Sequence, residues 1–244
     1  VVPDSVTLNN NAIFASANWN GSNLMLRLRK AGGFIGYRAY YEGNDLKLRF
    51  NNAPGSLSGA RIVVDPGHGG NDPGASGFYP GKNEADITLA IAQKLVAELQ
   101  SRGASVLMTN PGSTMASRMA AARAFNPQVM VSIHGNSSEA NPNASGTEVY
   151  YFYPFARQLA ANIAANGASS LQTTNRGAKT GYYYVTRESQ FASVLVETGF
   201  VTNEREYTKL INAQYQTRIA QGIANGISGY LGGANSGGGT GGTD

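Results

Sequence analysis

Short runs rich in Val and Ile alternate with longer segments of helical spacing across residues 60–231, and this alternation constrains the fold most. Two such runs lie at residues 61–65 and 129–133. Between them, Glu84–Ser101 places Ile and Leu at four-residue intervals, which is typical of a helix with one buried stripe. Buried strands separated by helices predict an α/β fold, with a mostly parallel twisted sheet and helices on both faces. Further strands are predicted at residues 105–109, 147–153 and 191–197, and further helices at Met115–Phe125, 154–165, Glu204–Leu210 and 214–230.

Composition divides the chain into three parts. Residues 1–56 alternate apolar and polar side chains between turns that contain Gly and Asn, which predicts a small antiparallel β unit before the α/β domain. Residues 60–231 are the α/β domain itself. Residues 232–244 are mostly Gly, Ser and Thr, which predicts a flexible linker. Because the chain starts at Val1, we expect a processed or trimmed fragment whose linker led to a further segment.

The net charge of +4 is concentrated near the start of the chain. Residues 1–60 hold six basic and three acidic residues, a balance of +3. Such a segment is typical of a solvated face, and the alternative is contact with an anionic polymer. No apolar run approaches the ~20 residues of a membrane span. We therefore expect no membrane span, and we expect no nucleic-acid partner.

Histidine is scarce and cysteine is absent: the chain has 2 His and 0 Cys. The lack of Cys excludes disulfide frameworks, Cys-ligated zinc, iron–sulfur clusters and thiol nucleophiles. Any chemistry that depends on imidazole must therefore use His68, His134 or both.

Both His residues and two carboxylates are predicted at one end of the sheet. His68 and His134 each follow a predicted strand, Glu197 ends a third, and Glu84 opens a helix after a Gly-rich loop. In open α/β sheets, ligands bind at the carboxyl ends of strands. Two imidazoles and one carboxylate suit Zn²⁺ with an open fourth position, and a second carboxylate can then act as general base. Spacing leaves open which Glu is the ligand and which is the base.

The sequence lacks the motifs of three other common binding or catalytic sites. Residues 66–70 are followed by no Gly-Lys-Ser/Thr, and the Gly-x-Gly-x-x-Gly spacing fails at Asp72, so the loop is not a phosphate-binding loop. The sequence has neither a Gly-x-Ser-x-Gly elbow nor a His-Glu-x-x-His helix.

Several motifs occur together in one order, and as a set they are highly specific. They are VDPGHGG at 64–70, Asp72, Gly74-Ala75, Glu84, VSIHGN at 131–136, GTEVYY at 146–151, Asn175-Arg176-Gly177 and LVETGFVTN at 195–203. This set closely resembles the catalytic domain of the zinc-dependent N-acetylmuramoyl-L-alanine amidases, also called amidase type 3, over about residues 60–231.

The resemblance implies that His68, Glu84 and His134 bind one Zn²⁺ and that Glu197 is the catalytic acid and base. The implied reaction is hydrolysis of the amide between N-acetylmuramic acid and L-alanine of peptidoglycan by a zinc-activated water. The implied location is secreted or associated with the bacterial cell wall. The basic N-terminal unit is then a candidate for wall targeting through an anionic wall polymer.

The chain departs from the usual family pattern at two places. Thr109-Asn110 replaces a common Thr-Arg, and Arg123 replaces a common Asn. Some relatives carry an insertion after the second His whose helix blocks the zinc, whereas residues 135–147 leave room only for a short loop. We therefore expect an open site that is controlled by localisation.

Two other functions are compatible with the residues. A zinc peptidase that cuts within the stem peptide would use the same donor set. A non-catalytic wall-binding module would use the same groove but would need no acid and base, so Glu197 argues against it.

Overall fold

A computed structural model describes residues 12–29 and 33–233. The strands are β1 (Phe14–Asn20), β2 (Asn23–Leu28), β3 (Tyr37–Glu42), β4 (Asp45–Phe50), β5 (Arg61–Pro66), β6 (Ser105–Met108), β7 (Val129–Asn136), β8 (Thr147–Tyr151), β9 (Asn175–Thr180) and β10 (Ala192–Phe200). The helices are α1 (Glu84–Ser101), α2 (Met115–Phe125), α3 (Arg157–Leu171), α4 (Glu204–Leu210) and α5 (Ala213–Gly233), with a 3-10 turn at Pro154–Ala156. Within the described ranges, no helix combines the length and apolar character needed to cross a bilayer.

Strands β5 to β10 form one six-stranded sheet in the order β6-β5-β7-β10-β8-β9. The pairs β5–β6, β5–β7, β7–β10 and β8–β9 are parallel, and β8 runs antiparallel to β10. The predicted α/β fold with a mostly parallel sheet is therefore confirmed.

Neighbouring residues of a strand point to opposite faces of the sheet. Both faces of this sheet carry apolar side chains, and helices cover both. Ile62 and Val64 of β5 are fully buried in the core that includes residues of α1, α3 and α5. Val63 lies in a second core with Met119 and Ala122 of α2. The larger core anchors the sheet, and the smaller one fixes α2 beside the strand ends that carry the site.

Several element boundaries differ from those predicted. The strand predicted at 129–133 continues as β7 to Asn136, and the strand predicted at 191–197 is β10, which runs to Phe200. Consequently His134, predicted just after its strand, and Glu197, predicted as the last residue of its strand, both lie within paired strands. Helix α3 starts at Arg157, because the preceding residues form the 3-10 turn, and it ends at Leu171. Helix α5 extends to Gly233, two residues into the predicted linker, and residues 234–244 lie outside the described ranges.

The N-terminal part contains two hairpins, β1–β2 and β3–β4, and it packs on the α/β domain. Ile35 is 1% exposed and belongs to the larger core of the domain. The Tyr37 amide donates to Ser189 O, and a Cβ on Gly36 would lie 2.3 Å from Gln190 O. Phe34 also packs on Phe155, with ring centroids 5.6 Å apart. The residues just before β3 therefore contribute to the stability of the larger domain.

Candidate metal centre and active site

The loop that follows β5 carries His68 in an uncommon backbone conformation. His68 has φ 62°, and Gly69 and Gly70 after it have φ 109° and 63°. A non-Gly residue in this left-handed region persists only where its surroundings hold it. Here Arg118 of α2 holds it, since its Nη2 donates to His68 O at 2.6 Å. In this conformation the imidazole lies beside that of His134, with ring centroids 4.9 Å apart.

Glu84 is the first residue of α1, and backbone amides fix its carboxylate. Asn83 caps the helix, forming a reciprocal capping box with Asp86. The amide of Ala75 donates to Glu84 Oε2 at 2.9 Å, and the amide of Gly135 donates to Oε1 at 3.0 Å. These bonds lock the orientation of a side chain that is only 5% exposed.

The structure brings together three of the four residues predicted for the site as one donor cluster. Glu84 Oε1 lies 3.1 Å from His68 Nε2 and 3.0 Å from His134 Nδ1, and one donor atom from each residue lies within 4.8 Å of the others. A Cβ on Gly74 would lie 2.7 Å from Glu84 Oε2, and one on Gly67 would lie 2.6 Å from His134 Nε2. Glycine at both positions therefore leaves the space that these side chains occupy. Two imidazole nitrogens and a carboxylate oxygen at this spacing fit a metal ion.

Charge is shared unevenly within this cluster. The hydrogen bond to Glu84 is the main cause that raises the pKa of His68 to about 9; burial opposes it and Asp72 supports it. Burial alone would raise the pKa of Glu84, but hydrogen bonds from His134, His68 and the two amides hold it well below its usual range. Without a metal, Glu84 is therefore an anion, and a ring nitrogen of each imidazole contacts its Oε1.

Asp72 orients His68, a role that the sequence did not reveal. Its Oδ2 accepts from His68 Nδ1 at 2.8 Å, so His68 Nε2 is the nitrogen left to face Glu84. Its Oδ1 accepts from the amide of Gly74 at 3.0 Å, which fixes the carboxylate. A carboxylate on the second nitrogen of a His sets the tautomer and ring orientation needed for metal ligation. Asp72 belonged to the motif set, but only the geometry shows what it does.

Glu197 lies next to the donor cluster, on β10 in the centre of the sheet. It pairs in register with His134 on one side and with Glu148 of β8 on the other. Its Oε2 is buried and has no hydrogen-bond partner within the described residues. Burial raises the pKa of Glu197 to about 7, and nearby Glu84 and Glu148 add to this while His134 and His68 oppose it. An unpartnered buried carboxylate with a pKa near neutrality is suited to proton transfer.

Glu148 continues the row of side chains toward the edge of the sheet. It accepts hydrogen bonds from Asn136 and Tyr150 through Oε1 and from Arg176 and Lys179 through Oε2. Burial alone would raise the pKa of Glu148, but Lys179, Arg176 and Tyr150 hold it well below its usual range. This residue was part of a recognised motif, but its neighbours were not predicted to meet at the site.

A buried polar network supports the site from the α2 side. Asp65 is fully buried and accepts from Ser132 at 2.6 Å and from Thr109. Arg118 contacts Asp65 at 3.3 Å and also donates to Pro66 O at 2.6 Å. One arginine thus joins α2, the end of β5 and the His68 loop.

The positions that depart from the family pattern have structural partners. Thr109, which matches the family pattern and precedes Asn110, belongs to the network below the site. Asn110 caps a turn through its Oδ1, which accepts from the amide of Gly112 at 3.0 Å. Arg123 pairs with Glu188 at 2.7 Å and so links α2 to the segment before β10. None of these contacts involves the donor cluster.

An α/β domain that places a His–Glu–His cluster beside an unpaired acidic residue has the arrangement expected of a metal-dependent hydrolase. The sequence profile of a family described as N-acetylmuramoyl-L-alanine amidase matches residues 62–229. The chain is 39% identical over 176 residues to the uncharacterized protein YqiI of Bacillus subtilis, a match covering 69% of this chain and 84% of YqiI. It is 34% identical over 180 residues to the N-acetylmuramoyl-L-alanine amidase LytC of the same organism, covering 71% of this chain but only 36% of LytC.

Comparison with solved structures also finds amidases. The amidase AmiC2 of Nostoc punctiforme aligns with a TM-score of 0.67 and 35% identity, covering 71% of this chain and 98% of that one. The catalytic domain of the amidase CwlV from Paenibacillus polymyxa aligns with a TM-score of 0.66 and 34% identity, covering 70% and 98%. The chain therefore belongs to the N-acetylmuramoyl-L-alanine amidase family, and it is an amidase by class.

Proposed function

We propose that this chain hydrolyses the amide between N-acetylmuramic acid and the L-alanine of the peptidoglycan stem peptide. In this proposal His68, Glu84 and His134 hold one Zn²⁺, and Glu197 is the general base and acid. The observation that carries it is the buried Glu197 Oε2, which has no partner within the described residues and lies beside the donor cluster.

The donor cluster fits zinc by its chemistry. Two imidazole nitrogens and one carboxylate oxygen are typical ligands of catalytic zinc, and three protein ligands leave a fourth position open. When bound there, the ion supplies Lewis-acid chemistry, which polarises the scissile carbonyl and makes water more acidic. Asp72 and the amides of Ala75 and Gly135 hold two of the three donors in place before the ion arrives.

Glu197 moves the proton in this mechanism. Its carboxylate accepts a proton from the attacking water and then donates it to the nitrogen of the leaving L-alanine. A pKa near 7 suits both steps, because the group can release at neutral pH the proton that it has just accepted. The leaving nitrogen must therefore lie on the Glu197 side of the donor cluster.

The segment between β7 and β8 supports an open site, as expected of a constitutively active enzyme. The segment between β7 and β8 contains no helix, so it provides no blocking element of the kind expected from the insertion in some relatives. We propose that control comes from where the enzyme acts, and relatives named cell wall amidases favour action at the cell wall. Secretion or wall association is part of this proposal.

No contact within the described part of the hairpins identifies an anionic wall polymer as partner. Lys47 is paired with Glu42 and Asp45, and Arg38 stacks on Tyr40. Wall targeting by residues 1–56 stays a prediction.

Digestion of purified peptidoglycan separates the three candidate functions. With zinc supplied, we expect intact stem peptides with a free L-alanine amine, identified by mass spectrometry. Shortened peptides would indicate a peptidase, and binding without release would indicate a wall-binding module. Glu197→Gln should lower the rate at least about 10²-fold while zinc stoichiometry stays unchanged. An active Glu197→Gln variant would contradict the assigned role.

A further inference from the structure

Beyond Glu197, the row of side chains across the sheet ends in two cations that the proposed chemistry does not use. Arg176 and Lys179 lie on β9, the edge strand, and both contact the carboxylate of Glu148. Glu148 is 4% exposed, whereas Arg176 is 36% and Lys179 is 37% exposed. One buried carboxylate thus fixes the position of two cations that remain open to solvent.

We infer that Arg176 and Lys179 form a binding subsite for a carboxylate of the stem peptide, a specificity site that rests on the proposed amidase function. Two positive charges against one carboxylate leave a surplus positive charge beside Glu148. Guanidinium and ammonium groups bind carboxylates through short charge-assisted hydrogen bonds. Glu148 restrains both side chains, so less conformational entropy is lost when an anion binds.

The direction of the peptide follows from the role of Glu197. The leaving nitrogen must accept a proton from Glu197, so the peptide starts on that side of the donor cluster. The next strands in that direction are β8, with Glu148, and β9, with the two cations. The stem peptide therefore runs from the donor cluster toward Arg176 and Lys179.

The reach of the peptide agrees with the spacing of the strands. Neighbouring strands lie about 4.8 Å apart, so charges held over β8 and β9 are roughly 5–10 Å from β10. An extended peptide spans about 3.3–3.6 Å per residue, so a carboxylate at the end of its second residue lies about 7 Å from the scissile nitrogen. The subsite is thus placed for the second residue of the stem peptide.

The test compares two soluble N-acetylmuramoyl-L-alanyl dipeptides, whose second residue ends in either a carboxylate or a carboxamide. With zinc supplied, the full chain should prefer the carboxylate by about tenfold in kcat/KM, mainly through KM. Lys179→Met should reduce this preference to less than about threefold, and Lys179→Arg should restore it. In Lys179→Met, Glu148 keeps its bonds to Arg176, Asn136 and Tyr150, so the fold should be preserved.

Lys47→Met is the matched control, since Lys47 is 40% exposed and also paired with carboxylates. It should leave the preference unchanged. Equal rates with both substrates in the wild type, or an equal loss on both in Lys179→Met, would overturn the inference. Release from neither substrate would contradict the proposed amidase function instead. In that case, calorimetry with the free L-alanyl dipeptides still tests the subsite, because the carboxylate form should bind about tenfold more tightly than the carboxamide.

Discussion

Glu197 and His134 are register partners on the parallel strands β10 and β7. This single backbone pairing sets the carboxylate proposed for proton transfer beside a proposed metal ligand, with no loop between them. Thr198 strengthens it, because its hydroxyl donates to His134 O at 2.9 Å. A member of the donor cluster and a buried carboxylate whose Oε2 has no partner within the described residues are thus held on neighbouring strands.

Glu197→Gln should stabilise the metal-free protein at pH 8, although it lowers the rate of the zinc-loaded enzyme. The pKa of Glu197 is about 7 in the folded chain, against an ordinary value of 4.5. Between these values the folded state binds more protons than the unfolded state, so stability falls as pH rises through that window. Above pH 7 the full penalty applies, about 3 kcal/mol at most. Urea denaturation of both proteins with chelator present should show the variant to be more stable at pH 8.

The same comparison at lower pH is its control. The advantage of Glu197→Gln should shrink toward pH 4.5, where the wild-type carboxyl is protonated in the folded state and half protonated in the unfolded state. A difference that is constant from pH 4.5 to pH 8 would show that burial of the charge is not its cause.

Asp72→Asn should lower zinc affinity about 10- to 100-fold, because the amide no longer provides the charged acceptor that holds His68 Nδ1. Competition with a chromogenic chelator measures this affinity. Asp45→Asn, on the β3–β4 hairpin, is a control of similar exposure that should leave it unchanged. Unaltered zinc affinity in Asp72→Asn would show that the backbone of the loop alone positions His68.

The sequence predicted much of this architecture because the buried strands and helices have strong periodic patterns. It could not predict β9, whose sequence NRGAKT carries no alternation of apolar residues. That strand forms because β8 offers it a backbone ladder, and ladders of this kind depend on neighbours distant in sequence. Motif and topology together predicted the three donor residues and Glu197 as site residues, whereas only the three-dimensional contacts single out Asp72, Glu148 and Lys179.

Ile35→Ala should destabilise the α/β domain by about 2–5 kcal/mol, although the residue lies outside residues 60–231. Its side chain is 1% exposed and packs in the larger core, so truncation leaves a cavity there. Urea denaturation monitors the change. Met25→Ala, at a site that is 54% exposed, should change the free energy of unfolding by less than about 0.5 kcal/mol. If Ile35→Ala and Met25→Ala changed the free energy of unfolding by equally small amounts, the N-terminal part would be only loosely attached to the α/β domain.

Arg118→Met should have two effects, because this one residue supports both a buried charge and the His68 loop. Without the guanidinium, Asp65 keeps only the hydroxyls of Ser132 and Thr109, and a buried carboxylate that loses its cation typically costs 3–5 kcal/mol. The carbonyl of His68 also loses its donor, so the left-handed conformation at φ 62° is held less firmly. We therefore expect weaker zinc binding in the fraction that remains folded, measured with the same chelator competition.

Arg102→Met provides the contrast for Arg118→Met. Arg102 pairs with Glu98 of α1 and donates to Asn225 Oδ1 of α5, and a partly exposed ion pair of this kind contributes less than about 1 kcal/mol. Its zinc affinity should match that of the wild type. If Arg118→Met lost stability but bound zinc as tightly as Arg102→Met, then Gly69, Gly70 and Asp72 would suffice to set the loop, and the role of Arg118 would be confined to neutralising Asp65.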